Sequence, residues 1–360
     1  MAFYQCPKCK KVWQYPIEKC PECFLNLERV KSEKIKVIGV SKVNIPTLFH
    51  PKVPYFVLVL EDENGNKWVQ KSVKEYKIGD EFHVTRKGNV TLSSVAIWRI
   101  KYDILEGIEK VIELLGGLTP TPEFGVGAQT KILILPTLNA PVHPHLAENT
   151  SPQFLERTIK YLIEKGAKSG NIKVAGQSFD KIPIETSVQK SQLLKVCQDY
   201  KILPLDLAKT NFVKKTKNNF TFEISEEVFN SDLIINLPIL KVGRASALEN
   251  ILKFLKKDSY PPAVLQPQPA HPKAEIIEKL GKVLPGYLTL ADAQVVQKSN
   301  KFTAFLGLTL ASFNPLNLDR VFAEICLLKK LPEHLKKVKI EDIPIVGRNI
   351  EEVQYEVEKH

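Results

Sequence analysis

The stretch Leu233-Ile-Ile-Asn-Leu237 is the clearest indicator of the fold of this chain. It is apolar at every position except Asn236, which is typical of a strand buried on both faces, as in a parallel sheet. An earlier stretch, Lys131-Ile-Leu-Ile-Leu135, has the same character, and helical periodicity follows each of the two. This alternation predicts an α/β domain with a mostly parallel sheet covered by helices.

The same alternation continues toward both ends of the domain. Further strands are predicted at 172–175, 288–292 and 305–311. Helices are predicted at 104–115, 152–165, 187–199, 247–256, 273–284 and 318–328. Ligands in such sheets usually bind at the carboxyl ends of the strands, so candidate polar residues are sought there.

The first 33 residues have a different pattern, which is set by cysteine. Four of the six cysteines form two C-x-x-C pairs, Cys6-Pro-Lys-Cys9 and Cys20-Pro-Glu-Cys23. Two turns of this spacing present four thiolates to one tetrahedral ion, which predicts a zinc ribbon. Four protein ligands leave no open position, so the metal is interpreted as structural. Zinc is preferred to iron on frequency alone, and a redox C-x-x-C is the alternative.

Short strand-like segments follow the ribbon. They lie at 34–43, 55–60, 67–71 and 81–85, with turns at 62–66 and 78–80, and residues 95–97 are predicted to close the set. Five short strands of this kind predict a small OB-type β-barrel. The predicted domains are a zinc ribbon at 1–33, a barrel at 34–100 and an α/β domain at 101–360, with a linker near 118–124.

The net charge of +11 lies mainly in the first hundred residues. A basic module suits an anionic partner such as nucleic acid, a phosphate-rich cofactor or an acidic protein face, and the alternative is a lysine-rich solvated surface. Four aromatic residues of the barrel region can stack on a single nucleic-acid strand, although barrel aromatics commonly form core. They are Tyr55, Phe56, Trp68 and Trp98.

Composition and motifs exclude several classes of protein. A hydrophobic content of 44% with 25% charged residues is that of a globular protein. The chain contains no recognisable leader and no apolar run long enough to span a bilayer, so a cytoplasmic protein is expected. No Walker A sequence or G-x-S-x-G elbow occurs. His143-Pro-His145 lacks an evident third metal ligand, and Cys197 and Cys326 lie on apolar helical faces, where core roles are expected.

Residues 3 to about 97 resemble the zinc-ribbon/OB family named domain of unknown function thirty-five. The matching features are Phe3-Tyr4, the four cysteines, a basic strand at 36–43 and the turn Ile78-Gly-Asp80. Lys10 and Phe24 stand where that family usually has glycine. The resemblance implies a rubredoxin-like ribbon with structural zinc, a CoA thioester as ligand, and docking on a thiolase-like condensing enzyme.

Residues from about 102 to 353 resemble a second family, domain of unknown function three-six-two. The matching segments are Leu114-Leu-Gly-Gly117, residues 232–241, Ala247-Leu-Glu-Asn250 and Ile345-Val-Gly347. Lysine and histidine positions of the family motifs are occupied here by Leu135, Ser151 and Val242 or Gly243, and Asn314 replaces an aspartate. These replacements remove groups that bind anions or move protons. The iron–sulfur insert of many relatives is absent from the sequence.

Four polar residues remain in the matched motifs and strand ends. Lys241, Asn250 and Asp292 are the ligand-binding candidates; a solvated lysine is the alternative for Lys241. Asp319 is interpreted as a helix-start charge or a structural partner.

The sequence is compatible with three functions of this protein. The preferred one is an accessory zinc-binding protein that docks on a thiolase-like enzyme or binds acyl-CoA. The alternatives are an enzyme with its site in the α/β domain and a single-stranded nucleic-acid binding protein.

Overall fold

A computed structural model of the chain describes residues 2–13, 17–31, 34–47, 53–82, 90–119, 125–177, 182–217, 220–256 and 273–357. The strands in these residues form one nine-stranded sheet, two three-stranded sheets and a two-stranded hairpin. No helix in the described ranges is both long and apolar enough to cross a membrane.

The elements are numbered in chain order. The strands are β1 (Ala2–Gln5), β2 (Val12–Trp13), β3 (Glu28–Lys31), β4 (Ile35–Val43), β5 (Tyr55–Asp62), β6 (Lys67–Ser72), β7 (Val95–Arg99), β8 (Ile132–Pro136), β9 (Ile172–Gly176), β10 (Pro204–Asp206), β11 (Phe212–Lys217), β12 (Phe220–Ser225), β13 (Leu233–Leu237), β14 (Ile239–Lys241), β15 (Leu288–Gln297), β16 (Thr303–Ser312) and β17 (Ile345–Gly347). The α-helices are α1 (Ile104–Leu114), α2 (Pro152–Glu164), α3 (Ile184–Lys190), α4 (Leu193–Asp199), α5 (Ser246–Asn250), α6 (Lys273–Gly281), α7 (Pro315–Ile325) and α8 (Ile350–Val353).

The large sheet is mixed. Its order is β10-β9-β8-β13-β15-β16-β7-β17, with β14 also beside β15. Neighbours from β10 to β15 are parallel, whereas β16 is antiparallel to both β15 and β7. A short turn joins β15 to β16, and so short a connection permits only antiparallel pairing. The predicted α/β architecture is confirmed in this mixed form.

Helices cover both faces of the large sheet, and the alternation of side chains in β8 shows how. Ile132 and Ile134 pack in the core formed with α1 to α4. Leu133 and Leu135 pack on the opposite face, in the core formed with α5, α6 and the β11–β12 hairpin. Because both faces are covered, the central strands are apolar throughout, which is the pattern that predicted them.

Strand β7 does not close a barrel. It lies in the range predicted as the fifth barrel strand, yet it pairs with β16 and β17 in the large sheet. Val95, Ala96, Ile97 and Trp98 are all buried, so the strand needs cover on both faces, which the large sheet supplies. The predicted domain boundary at residue 100 therefore separates β7 from β16 and β17, the strands with which it pairs in the large sheet.

Two small antiparallel sheets precede β7. The first has the order β2-β1-β3 and the second has the order β4-β5-β6. A bridge between Lys36 and Glu81 extends the second sheet, and the predicted strand at 81–85 otherwise lies outside the described residues. No closed barrel forms among the described strands. The Phe3 and Trp68 rings, 5.8 Å apart, join the two small sheets in one core.

Two predicted helices are interrupted. The helix expected at 187–199 is divided into α3 and α4 at Gln192, whose φ of +62° cannot continue a right-handed helix. The helix expected at 247–256 is the short α5, followed by a 3-10 turn at Ile251–Phe254. The lysine-rich run 214–217 is part of strand β11.

Candidate functional site

The four cysteines of the two C-x-x-C pairs come together beside the first small sheet. Their Sγ atoms all lie within 4.8 Å of one another, and those of Cys9 and Cys20 are 3.7 Å apart. Sulfur atoms about 2.3 Å from one tetrahedral ion are separated by about 3.8 Å, so this donor set fits a metal such as Zn²⁺. Cys6 and Cys20 are buried and Cys9 and Cys23 are half-buried, which suits a structural site.

The two C-x-x-C turns, or knuckles, at Cys6–Cys9 and Cys20–Cys23 share the same backbone hydrogen-bond pattern. Cys6 N donates to Lys11 O at 3.0 Å, and Cys20 N donates to Leu25 O at 2.8 Å. The residue after each second cysteine is left-handed, with φ of +58° at Lys10 and +55° at Phe24. These two positions are where the resembled family has glycine, and the positive φ supplies the physical reason for that preference.

A second polar cluster lies where β8 and β13 end. Asn250, in α5, donates its side-chain amide to the backbone oxygen of Leu135 and to Asn236 Oδ1, both at 2.9 Å. Thr137 Oγ1 donates to Asn250 Oδ1 at 3.3 Å. The amide of Asn250 thus joins two strand ends to a helix, and its hydrogen-bonding groups are occupied by the protein.

Lys241 lies at the same edge, at the end of β14. It is 4% exposed and forms an ion pair with Glu148, which a second lysine, Lys301, approaches at 3.6 Å. Burial opposes ionisation of Glu148, but the hydrogen bond and charge of Lys241 outweigh it and lower the pKa of Glu148. Lys241 is therefore a buried cation with a partner, and the alternative of a solvated lysine is wrong.

Lys253 is the residue at this edge that the sequence analysis missed. It is 2% exposed, and its Nζ has no hydrogen-bond partner among the described residues. Burial, together with the charge of Lys241, lowers the pKa of Lys253 to about 7. The side-chain amide of Gln177 donates to the backbone oxygens of Lys253 and Leu255, while its buried Oε1 accepts no hydrogen bond from any residue that the structure describes.

Asp292 is buried in β15, beside β14. Its Oδ1 accepts a hydrogen bond from the backbone of Gln294 at 3.1 Å, and its Oδ2 accepts one from Ser151 at 3.3 Å. Burial raises the pKa of Asp292 to about 6, against the effect of these backbone hydrogen bonds. The carboxyl group of Asp292 thus has a pKa well above its usual value, and it accepts a hydrogen bond at the start of α2.

A family model described as Domain of unknown function (DUF362) matches residues 132–324. The chain belongs to this family. The DUF362 match includes Lys241, Asn250, Lys253 and Asp292, whereas the four-cysteine site lies outside it. The expected resemblance of the α/β domain is thereby confirmed.

Two solved structures are similar to parts of this DUF362 chain. One is "Ltp2-ChsH2(DUF35) aldolase", with 18% identity and a TM-score of 0.20, over 29% of this chain and 76% of that one. The other is the lactate racemase apoprotein from Thermoanaerobacterium thermosaccharolyticum, with 12% identity and a TM-score of 0.39. This likeness covers 66% of this chain and 57% of the racemase chain. At these scores neither likeness establishes a common fold. A comparison with curated protein sequences found no match.

The remaining residues that the sequence singled out in this DUF362 protein are two histidines, one aspartate and two cysteines. His143 and His145 contact each other through Nδ1 at 2.7 Å, and no third metal ligand joins them among the described residues. Asp319 accepts hydrogen bonds from the backbone of Ala247 and Leu248 at 3.0 and 2.9 Å, so it is a structural partner as predicted. Cys197 and Cys326 are buried, as expected.

The proposed nucleic-acid stacking residues are core. Tyr55, Phe56, Trp68 and Trp98 are each at most 8% exposed, so none of them presents a ring face to a strand in solvent. Lys253, by contrast, had a signal in the sequence: it is the single charged residue in Ile251-Leu-Lys-Phe-Leu255. A lone lysine within an apolar segment is rarely buried without a purpose, and weighing it would have identified the residue.

Proposed function

We propose that this DUF362 protein binds a small carboxylate or phosphate at the carboxyl edge of β8 and β13. The observation that supports the proposal is Lys253, a buried amine that has no hydrogen-bond partner in the part of the chain that the structure describes. Buried polar groups are normally hydrogen-bonded, and an exception of this kind is characteristic of functional sites. The carboxyl edge of the parallel strands is also where ligands bind in α/β sheets.

The charges at this edge favour an anion. Lys241 is paired with Glu148, but no carboxylate among the described residues pairs with Lys253, and the two lysines repel each other. An anion beside Lys253 restores its charged form and supplies the missing hydrogen-bond acceptor. Gln177 belongs to the same site, because its amide is tied to the backbone of Lys253.

The test is calorimetric titration of the full chain with acetate, succinate and inorganic phosphate at pH 8. At this pH most Lys253 is neutral, so anion binding is expected to take up a proton. Repeating the titration in buffers of different ionisation enthalpy measures that uptake. Lys253→Met should abolish both the binding and the uptake, whereas Lys173→Met, on the neighbouring strand β9, should change neither. Binding that Lys253→Met leaves intact would overturn the proposal.

We further propose that the N-terminal module holds structural zinc and docks on a thiolase-like condensing enzyme or an acyl-CoA ligand. The support is the resemblance of residues 3–97 together with two apolar side chains at the second knuckle. Phe24 is 75% exposed and Leu25 is 44% exposed. Exposed apolar residues on a rigid turn are suited to contact with a partner.

A tagged pull-down from the native host tests this docking. A thiolase-like enzyme recovered in fixed ratio supports it, and Phe24→Asp combined with Leu25→Asp should then lose the partner. Leu203→Asp is the matched control, because Leu203 is 87% exposed but lies in the α/β domain. Recovery of the chain alone would refute the docking proposal and leave the anion site unaffected.

A further inference from the structure

The β11–β12 hairpin has one strand, β11, whose outer edge is open. The two strands pair only with each other in a two-stranded sheet, so each has an outer edge. Lys256 N donates to Glu223 O at 2.9 Å, which covers part of the outer edge of β12. No described residue makes a backbone hydrogen bond to the outer edge of β11. This edge runs along the six residues of Phe212–Lys217 and lies apart from the site around Lys253.

The alternation of an antiparallel ladder shows which backbone groups of β11 point outward. Glu226 N donates to Asn211 O at 2.8 Å, so these two residues form a hydrogen-bonded pair of the hairpin. Every second residue after Asn211 then faces β12, while Phe212, Lys214 and Thr216 direct their N–H and C=O groups to the outer edge. These outward groups make no hydrogen bond with the described residues. Three residues spaced in this way form a template for another extended chain.

The side chains along this edge are cationic. Lys214 lies on one face of β11, Lys215 and Lys217 lie on the other, and all three are exposed. Within the described ranges, none of the three forms an ion pair with a carboxylate. Glu223, the carboxylate opposite Lys214 in β12, is 3.7 Å from Lys256. A chain that pairs with this edge therefore has lysines beside it on both faces.

We infer that β11 receives an acidic extended peptide of a partner protein as an added strand. Backbone hydrogen bonds along the edge supply affinity, and the lysines select a partner that carries carboxylates. A second copy of this chain paired through β11 would bring lysine against lysine, which disfavours self-association. A nucleic acid would meet the lysines but cannot match the alternating N–H and C=O groups of the edge. Lysines on an edge strand discourage unspecific strand pairing, so the partner must bring compensating acidic side chains.

Fluorescence anisotropy with the full chain tests the inference. The probe is a fluorescein-labelled peptide of alternating glutamate and valine, about eight residues long, and it is expected to bind saturably. A fully N-methylated copy keeps the charge but has no backbone N–H, so it should bind at least tenfold more weakly. A single-stranded oligothymidylate of equal charge should also bind at least tenfold more weakly. A peptide with lysine in place of glutamate should show no saturable binding.

Two pairs of variants assign the binding to β11. Thr216→Pro removes an outward N–H without altering a lysine, and proline is tolerated where the N–H of an edge strand faces solvent. It should weaken binding of the glutamate–valine peptide at least tenfold, whereas Thr216→Val, which keeps that N–H, should bind as wild type does. Lys214→Glu should weaken binding at least threefold, and Lys195→Glu, on the exposed side of α4, should have no effect.

The inference is overturned if the glutamate–valine peptide shows no saturable binding. It is also overturned if the N-methylated copy or the oligothymidylate binds as tightly as that peptide, because the lysines would then act as a charged surface without strand pairing. The comparison of probes uses the unaltered chain, so it decides the question even if Thr216→Pro fails to fold. Lys253→Met should leave peptide binding unchanged, which separates this edge from the anion site proposed above.

Discussion

At the residue scale, the left-handed residues of the knuckles show how local backbone strain accompanies the clustering of the four cysteines. Lys10 and Phe24 adopt a φ that costs an L-residue about 1 kcal/mol or more. The turn requires this φ, because it returns the chain to the next backbone hydrogen bond of the knuckle. The side chains there are not needed for the turn.

Phe24→Gly should therefore stabilise the metal-bound knuckle by about 1 kcal/mol relative to Phe24→Ala. Both variants delete the exposed ring, so their difference isolates the backbone effect. Competition with a chromogenic chelator measures the free energy of metal release. Equal metal retention in the two variants would contradict the argument.

Lys253 makes stability depend on pH. Its pKa is about 7 in the folded chain and about 10.4 when unfolded, so the unfolded state binds more protons between these values. The free energy of unfolding should accordingly rise by about 1.4 kcal/mol per pH unit from pH 7 toward pH 10 from this residue. Below pH 7 the amine is protonated in both states, so the full cost of burying its charge lowers the free energy of unfolding.

Urea unfolding of the wild type and of Lys253→Met over pH 6 to 10 isolates this contribution, since methionine does not titrate. Lys253→Met should be the more stable protein at pH 7, and its advantage should shrink as the pH rises. A difference that is constant over this range would show that Lys253 does not titrate as described.

At the scale of elements, Asp319 shows one helix capping another. It lies in α7, but its carboxylate accepts the first backbone N–H groups of α5 at 3.0 and 2.9 Å. No side chain of α5 itself caps that end. Burial raises the pKa of Asp319 despite these hydrogen bonds. This contact sets the position of α5, and hence of Asn250 and Lys253.

Asp319→Ala should lower the free energy of unfolding by about 2–4 kcal/mol, because two buried N–H groups lose their acceptor. Asp319→Asn keeps one acceptor oxygen, so its loss is expected to be about half as large. Chemical denaturation measures both losses. If the alanine variant were as stable as wild type, the carboxylate would not be the cap.

At the scale of the whole molecule, we expect the N-terminal module, but not the large sheet, to depend on a bound metal for its stability. The first small sheet consists of three strands of two to four residues, which bury little apolar surface without the cysteine cluster. An ion pair joins this sheet to α1, with Arg29 Nη1 2.7 Å from Glu109, but no cysteine lies in the large sheet.

Chelation should therefore abolish hydrogen-exchange protection in β1, β2 and β3 and leave it intact in β8 and β13. Cys20→Ser should produce the same pattern without a chelator. The metal content of the purified protein, measured by mass spectrometry, identifies the ion. Loss of protection throughout the large sheet would show that the modules fold as one unit.

The sequence by itself determined those features that depend on neighbouring residues. The C-x-x-C spacing predicted the cysteine cluster, and unbroken apolar runs predicted β8 and β13, because both patterns express contacts that nearby residues dictate. The strands that pair with β7, and the antiparallel orientation of β16, were not predicted from the sequence. They depend on which sheet edges and sheet faces remain uncovered when the chain packs, and only the tertiary structure decides this. The buried amine of Lys253, which has no partner among the described residues, likewise lies where distant segments meet. The burial of such a residue and the charge around it depend on side chains from distant parts of the chain, so no single stretch of sequence reveals them.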